Sequence, residues 1–177
     1  MRLAFAILAL ALYTMPAQAE VSSSSPSGFV IHGEAVVAKS PAQAWRALTR
    51  IGGWWSPAHT YSGDAKNLTL DARAGGCWCA RFGANAIEHA RVVMVLHRGG
   101  TDTLRLSAAL GPLQELAVNG VLTFTTTADP AGTKIVMTYR VSGDPGLNLN
   151  NIAPGVDAVL SEQFARLRRY TETGRPE

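Results

Sequence analysis

Three short clusters hold most of the side chains able to do chemistry. The first is Cys77-Trp78-Cys79, which contains both cysteines of the chain. On an extended strand the two thiols project to one face and Trp78 to the other. Their Cα atoms are then two strand rises apart, ~6.6 Å, at the upper edge of disulfide geometry. The pair reads in three ways: two packed thiols, a strained and readily reduced disulfide, or part of a metal site. Metal binding needs further ligands, and His59 and His89 are the nearest in type. Neither stands at a recognisable ligand spacing from the pair, so no metal is expected. The second cluster is an aromatic segment with Trp54, Trp55, His59 and Tyr61. Aromatic bodies with polar tips suit a pocket mouth that is dry at one end and wet at the other. The third is Glu88-His89, opening an alternating apolar run. The alternation puts Glu88 on the apolar face, with Ala90, Val92, Met94 and Leu96, and His89 on the polar one. A carboxylate there could act as a cavity acid or base, or simply sit in water at the rim. Glu88, His59 and Tyr61 are therefore the candidate catalytic groups.

Several chemistries find no support. The aspartates show no paired-carboxylate spacing, and no phosphate loop, Rossmann glycine pattern, serine-nucleophile elbow or H-E-x-x-H motif occurs. No cofactor is expected. The net charge of +3 is mild, and nucleic-acid binding would want Lys and Arg gathered on one face. Two cysteines are too few for a disulfide framework, so the core must come from packing.

The chain opens like an exported protein. Arg2 precedes the apolar run Leu3 to Tyr13, and Ala17-Gln18-Ala19 supplies a small-x-small cleavage pattern. The run is shorter than the ~20 residues a membrane-spanning helix needs. Residues 1–19 are thus expected to be a signal peptide, leaving no stable membrane anchor. Export means the periplasm in a Gram-negative source and secretion otherwise. Residues 20–28, rich in serine, read as a flexible tether, and residues 29–174 as one domain.

The elements that must position the clusters follow from periodicity. Phe29 to Lys39 reads as a strand. Ser40-Pro41-Ala42-Gln43 carries a capping box and Pro at the first helical position. That short helix bears Trp45, Leu48 and Ile51 and stops at Gly52-Gly53. A run of strands follows: Leu68 to Asp71, Cys77 to Phe82, Glu88 to His97, Thr103 to Leu110, Val121 to Thr127 and Thr133 to Val141. The chain closes with a long helix from Pro154, its apolar stripe carrying Val156, Val159, Leu160, Phe164, Leu167 and Tyr170. Asp157, Glu162, Arg166 and Arg169 are on its polar face. Runs of strands followed by a helix indicate an α+β fold with an antiparallel sheet.

This order of elements resembles the SRPBCC superfamily, also described as START-like or Bet v 1-like. The likeness rests on Ser40-Pro41 through Trp45, on Trp54-Trp55, on Gly75-Gly76, and on the final helix. Within the superfamily the chain is similar to an exported polyketide cyclase/dehydrase-like group with no assigned activity, through Ala58 to Asp64, Gly75 to Cys79 and Ala109 to Gln114. The resemblance implies a helix-grip fold: a curved antiparallel sheet of about six or seven strands around a long C-terminal helix, enclosing a cavity. It also implies a hydrophobic or amphipathic small molecule as ligand. The expected lining is Trp54, Trp55, His59, Tyr61, Trp78, Phe82, Met94, Leu106, Phe124, Met137, Tyr139, Leu160 and Phe164. Two other functions compete with binding. One is a cofactor-free enzyme of cyclase, dehydratase or hydrolase type in the same cavity. The other is an accessory or chaperone-like protein, which would need a large exposed apolar patch.

Overall fold

The computed structural model describes residues 19–177. The expected signal peptide therefore lies outside the described residues, apart from Ala19.

The sheet has eight strands: β1 (Ala19–Ser25), β2 (Gly28–Val37), β3 (Leu68–Leu70), β4 (Cys77–Phe82), β5 (Asn85–Arg98), β6 (Thr101–Ser107), β7 (Asn119–Asp129) and β8 (Gly132–Ser142). Their order is β1-β2-β8-β7-β6-β5-β4-β3, and every neighbouring pair is antiparallel. Helix α1 (Pro41–Thr49) follows β2, and helix α2 (Leu149–Thr173) ends the fold. The curved antiparallel sheet with its long C-terminal helix is the helix grip, in the α+β class.

Two expectations need correction. The serine-rich segment read as a tether is instead the edge strand β1, paired with β2 from Ala19↔Gly33 to Ser25↔Gly28. Serine has little β-propensity, but β2 offers a free row of backbone groups, and Ala19 is buried where β1 meets α2. Backbone pairing and that contact override the local preference. The second concerns α2, which begins five residues before the expected start, so that Pro154 lies inside it. Proline there removes the N–H that would bond Asn150.

Helix α1 forms as its sequence dictates. Ser40 Oγ accepts from Gln43 N, and Gln43 Oε1 accepts from Ser40 N at 3.0 Å. Ala44 and Leu48 face the core, while half-buried Trp45 packs edge-on against His97, centroids 5.1 Å apart.

The core is a continuous block between sheet and helix. Ile31, Leu104, Leu106, Leu122, Ile135, Met137 and Tyr139 come up from the strands; Phe164 and Leu167 come down from α2. Burial of such side chains is worth about 1.5–3 kcal/mol each. This block fills the space under the C-terminal half of α2, and the space under its N-terminal half stays open.

Candidate functional site

That open space is a cavity of about 480 Å³, within the usual range for small-molecule sites. Four segments wall it. From α2 come Ile152, Gly155, Val156, Val159 and Leu160, the three- and four-residue steps of one helix face. The aromatic segment adds Trp55, Ala58, His59, Thr60 and Tyr61. The β6–β7 loop adds Leu110, Gly111, Pro112, Leu113 and Leu116; the strands add Leu68, Trp78 and His89.

Polar residues of α2 hold the aromatic segment down. Gln163, nearly fully buried, accepts from the Ser56 backbone N–H at 2.7 Å. Arg166 Nε donates to the Trp54 carbonyl at 2.9 Å. Glu162 Oε2 lies 3.0 Å from His59 Nε2. Burial pushes the Glu162 carboxyl up, but hydrogen bonds with Ser56 and His59 and the charges of His59 and Arg166 outweigh it. Its pKa ends below the ordinary carboxylate value. Arg166, expected on the polar face of α2, is buried. Its guanidinium satisfies a backbone carbonyl that the loop cannot pair by itself. Within the segment, Trp55 Nε1 donates to His59 O at 2.9 Å and closes the 3-10 turn Pro57–His59. Trp54 is wholly buried, and its Nε1 donates to Leu48 O.

The opposite wall depends on Tyr139. Its hydroxyl donates to Ala108 O at 2.8 Å and accepts from Leu110 N at 3.1 Å. Burial pushes this phenol up to about 12, against the lowering effect of the Leu110 bond. The β6–β7 loop leaves the sheet at this anchor. Gly111 takes φ +56, a left-handed conformation that suits glycine, and the chain turns to place Pro112 and Leu113 on the cavity. Gln114 Nε2 then donates to Glu88 O at 2.8 Å, tying the loop to β5.

A β-bulge sets the chemistry of the inner end. Trp78 pairs with Ala90 but Cys79 pairs with Glu88, so His89 is an extra residue in β5. Strict alternation would send His89 outward. The bulge turns it inward beside Ala90, and it is 8% exposed. Tyr61 stacks on its imidazole at 5.9 Å and Trp78 lies tilted against it at 5.7 Å. Trp55 packs edge-on against Trp78 at 4.7 Å. His89 Nε2 and Trp78 Nε1 are both buried without a protein hydrogen-bond partner. Desolvation lowers the His89 pKa from its ordinary 6.5, so the imidazole is neutral at pH 7.

The expected site residues divide. Trp55, His59, Tyr61, Trp78 and Leu160 line the cavity. Trp54, Leu106, Phe124, Met137, Tyr139 and Phe164 belong to the closed core beside it. Phe82 packs against the rim of the core at the end of β4. Met94 leaves the apolar face because β5 has a second bulge between Val92 and Met94, after which Val95 packs on the core. Glu88 does not reach the cavity. It is exposed and pairs with Arg91, whose Nε donates to Oε1 at 3.1 Å while a second guanidinium nitrogen meets Oε2. Sequence reasoning missed His89, because the bulge that turns it has no signature in an alternating run. Leu110, Pro112, Leu113 and Leu116 had a signal in the clustered apolar residues of a Gly-Pro loop.

Cys77 and Cys79 form a disulfide, their Cα atoms 5.4 Å apart. Both sulfurs lie within 4.8 Å of a Glu88 oxygen. With the sulfurs bonded to each other and Glu88 held by Arg91, this group offers no free thiolate to an ion.

No family model matches the chain, and no curated protein does. Solved structures do. A conserved protein of unknown function from Enterococcus faecalis aligns with TM-score 0.53 and 15% identity, over 84% of this chain and 74% of its own. A protein of unknown function from Staphylococcus aureus gives TM-score 0.55 and 12% identity, over 83% of this chain and 95% of its own. DynU16, from the dynemicin biosynthetic locus, gives TM-score 0.55 and 21% identity over 83% of this chain; this chain spans 48% of DynU16. The chain shares its overall fold with these structures. At these identities the likeness speaks to the fold and leaves function to the site.

Proposed function

We propose that the protein binds a hydrophobic small molecule carrying a hydrogen-bonding oxygen. One observation carries this reading: a largely apolar cavity of about 480 Å³ whose lining includes Trp78 and His89, each with a buried ring nitrogen, Nε1 and Nε2, that has no protein partner. A buried polar atom without a partner costs about 1–3 kcal/mol. A ligand oxygen that accepts from the indole N–H offsets this cost, and a hydroxyl can also donate to the neutral imidazole. The aromatic faces of Trp55, Trp78 and Tyr61 favour a flat ligand body. The pair at the mouth, His59 and Glu162, gives the outer end of the ligand a polar, hydrated rim.

A direct comparison tests this. Binding of 2-naphthol and of naphthalene to the full chain is measured by isothermal titration. We expect 2-naphthol to bind more tightly, and Trp78→Phe to remove most of the difference. Equal affinities for the two probes would refute the polar anchor. Failure of both to bind would refute the cavity reading, and native mass spectrometry of protein from its own source would identify any ligand carried.

A second reading is supported by His89 itself. A desolvated neutral imidazole at the inner end of a cavity has the character of a general base. Cofactor-free catalysis on the bound molecule would use His89, with Tyr61 stacked on it, rather than Glu88. The chaperone-like reading gains nothing: the exposed large hydrophobics Val36, Tyr61, Val93, Leu96 and Val121 are spread over β2, the aromatic segment, β5 and β7. Export remains part of the proposal. The Cys77–Cys79 disulfide supports it, because such bonds persist in oxidising compartments. No helix among the described residues is long and apolar enough to cross a membrane.

A further inference from the structure

The disulfide adds little to the fold. It joins residues two apart in one strand, and cross-links stabilise mainly by closing long loops of the unfolded chain. Strand β4 is already held on both sides, by β3 through Leu68↔Ala80 and Leu70↔Trp78 and by β5 through Cys77↔Arg91 and Cys79↔Glu88. The bond is also placed where it can be reached. Both cysteines are half-buried on the outer face of the sheet, beside exposed Thr69, Glu88 and Arg91.

Its position nevertheless matters to the cavity. Trp78, between the two cysteines, points inward and is 2% exposed. The bridged Cα atoms are 5.4 Å apart, against ~6.6 Å for two regular strand rises. The bond thus holds β4 contracted at Trp78. That contraction lies opposite the β5 bulge that turns His89 inward. Both unpartnered nitrogens of the cavity are carried by this one piece of sheet.

We propose that Cys77–Cys79 is a thiol–disulfide exchange site for a dithiol reductant, and that its redox state sets the geometry of the cavity's inner end. A donor thiolate attacks Cys79 Sγ, forming a mixed disulfide and breaking the Cys77–Cys79 bond. Cys77 leaves as a thiolate and takes up a proton, beside the paired charges of Arg91 and Glu88 on β5. The donor's second thiolate then attacks its own sulfur in the mixed disulfide and releases Cys79. Two electrons and two protons pass from the donor, which ends as a disulfide, to Cys77 and Cys79, which end as thiols. Release of the bond lets β4 extend and moves Trp78 against Trp55 and His89. The coupling to ligand rests on the cavity reading; the exchange chemistry does not.

The test uses the oxidised full chain and dithiothreitol as donor, without denaturant. Thiols are counted by N-ethylmaleimide trapping and mass spectrometry while tryptophan fluorescence and far-ultraviolet circular dichroism are followed. Binding of 1-anilinonaphthalene-8-sulfonate is measured in both states. We expect two maleimides per chain, unchanged circular dichroism, a change in tryptophan emission, and recovery of the starting state with glutathione disulfide. The dye's Kd should change by about fivefold or more, the lower end of ordinary coupling between sites. Cys77→Ser/Cys79→Ser should resemble the reduced form. Trapping that occurs only in denaturant would overturn the exchange site. Native reduction with unchanged emission and unchanged Kd would overturn the link to the cavity. If the dye binds neither state, the cavity reading fails for this probe, while thiol count and emission still decide the exchange site and the movement of Trp78.

Discussion

Gly155 provides a substitution in which stability and binding should move in opposite directions. It is exposed inside α2 and on the cavity wall. A Cβ added there would meet nothing within 4 Å. Gly155→Leu therefore introduces no clash and removes the helix penalty of glycine, about 0.8–1 kcal/mol. For a chain of this size that gain raises Tm by about 2–4 °C. The same side chain projects over the cavity between Ile152 and Val159. If it keeps a ligand from burying two methylene-sized groups, binding weakens by about 1.6 kcal/mol, or about fifteenfold.

The assay is a thermal melt paired with titration of the ligand or of 2-naphthol. A higher Tm with weaker binding supports the cavity between α2 and the aromatic segment as the site. A higher Tm with unchanged affinity refutes that location, since the helix would have accepted the residue while the ligand ignored it. A lower Tm refutes the open space assigned beside Gly155.

Other outcomes follow from individual contacts. Tyr139→Phe leaves the Ala108 carbonyl and the Leu110 N–H without their partner, a loss of about 1–3 kcal/mol, visible as a lower Tm and faster amide exchange in the β6–β7 loop. Arg166→Met removes the charged donor to the Trp54 carbonyl and should cost about 1.5–3 kcal/mol, with weaker ligand binding as the aromatic segment loosens. His89, with its pKa lowered from 6.5 by burial, contributes stability that is full above pH 6.5 and is lost as pH falls through the folded-state value; melts across that interval should show His89→Phe with a flatter profile. Glu162, held below its ordinary 4.5, contributes above pH 4.5 and loses its contribution as pH falls through the depressed value, which Glu162→Gln should abolish.

The parts of the fold that were legible had strong local signals. The capping box at Ser40 and Gln43, the alternation in β8 and the apolar stripe of α2 each fix one element by local periodicity. The serine-rich β1 carried no such signal, since its strand state comes from the free edge of β2. The site was less legible than the fold for a related reason. Alternation correctly sorts residues only while a strand is regular, and β5 is bulged at His89 and again at Val93. The first bulge turns His89 inward, and the second takes Met94 off the core face. An apolar list also cannot tell a filled core from a cavity. Met137 and Phe124 have the same character as Leu113 and Val159, yet the first two belong to the closed core and the others line the cavity.

The division of α2 explains why the cavity persists. Its C-terminal half places Phe164 and Leu167 on the sheet, and that packing fixes the helix axis. Its N-terminal half carries Gly155, which has no side chain to fill the space, and smaller valines at 156 and 159. Collapse of the helix onto the sheet is opposed by the aromatic segment, wedged beneath it and held by Glu162, Gln163 and Arg166. Loosening those three contacts should let the segment move before the core yields. A variant such as Gln163→Leu, which loses the bond to Ser56, should therefore change ligand affinity and protease sensitivity of residues 56–64 while the strands keep their amide protection. Uniform loss of protection across the sheet would show instead that segment and core open together, and that the cavity has no independently moving wall.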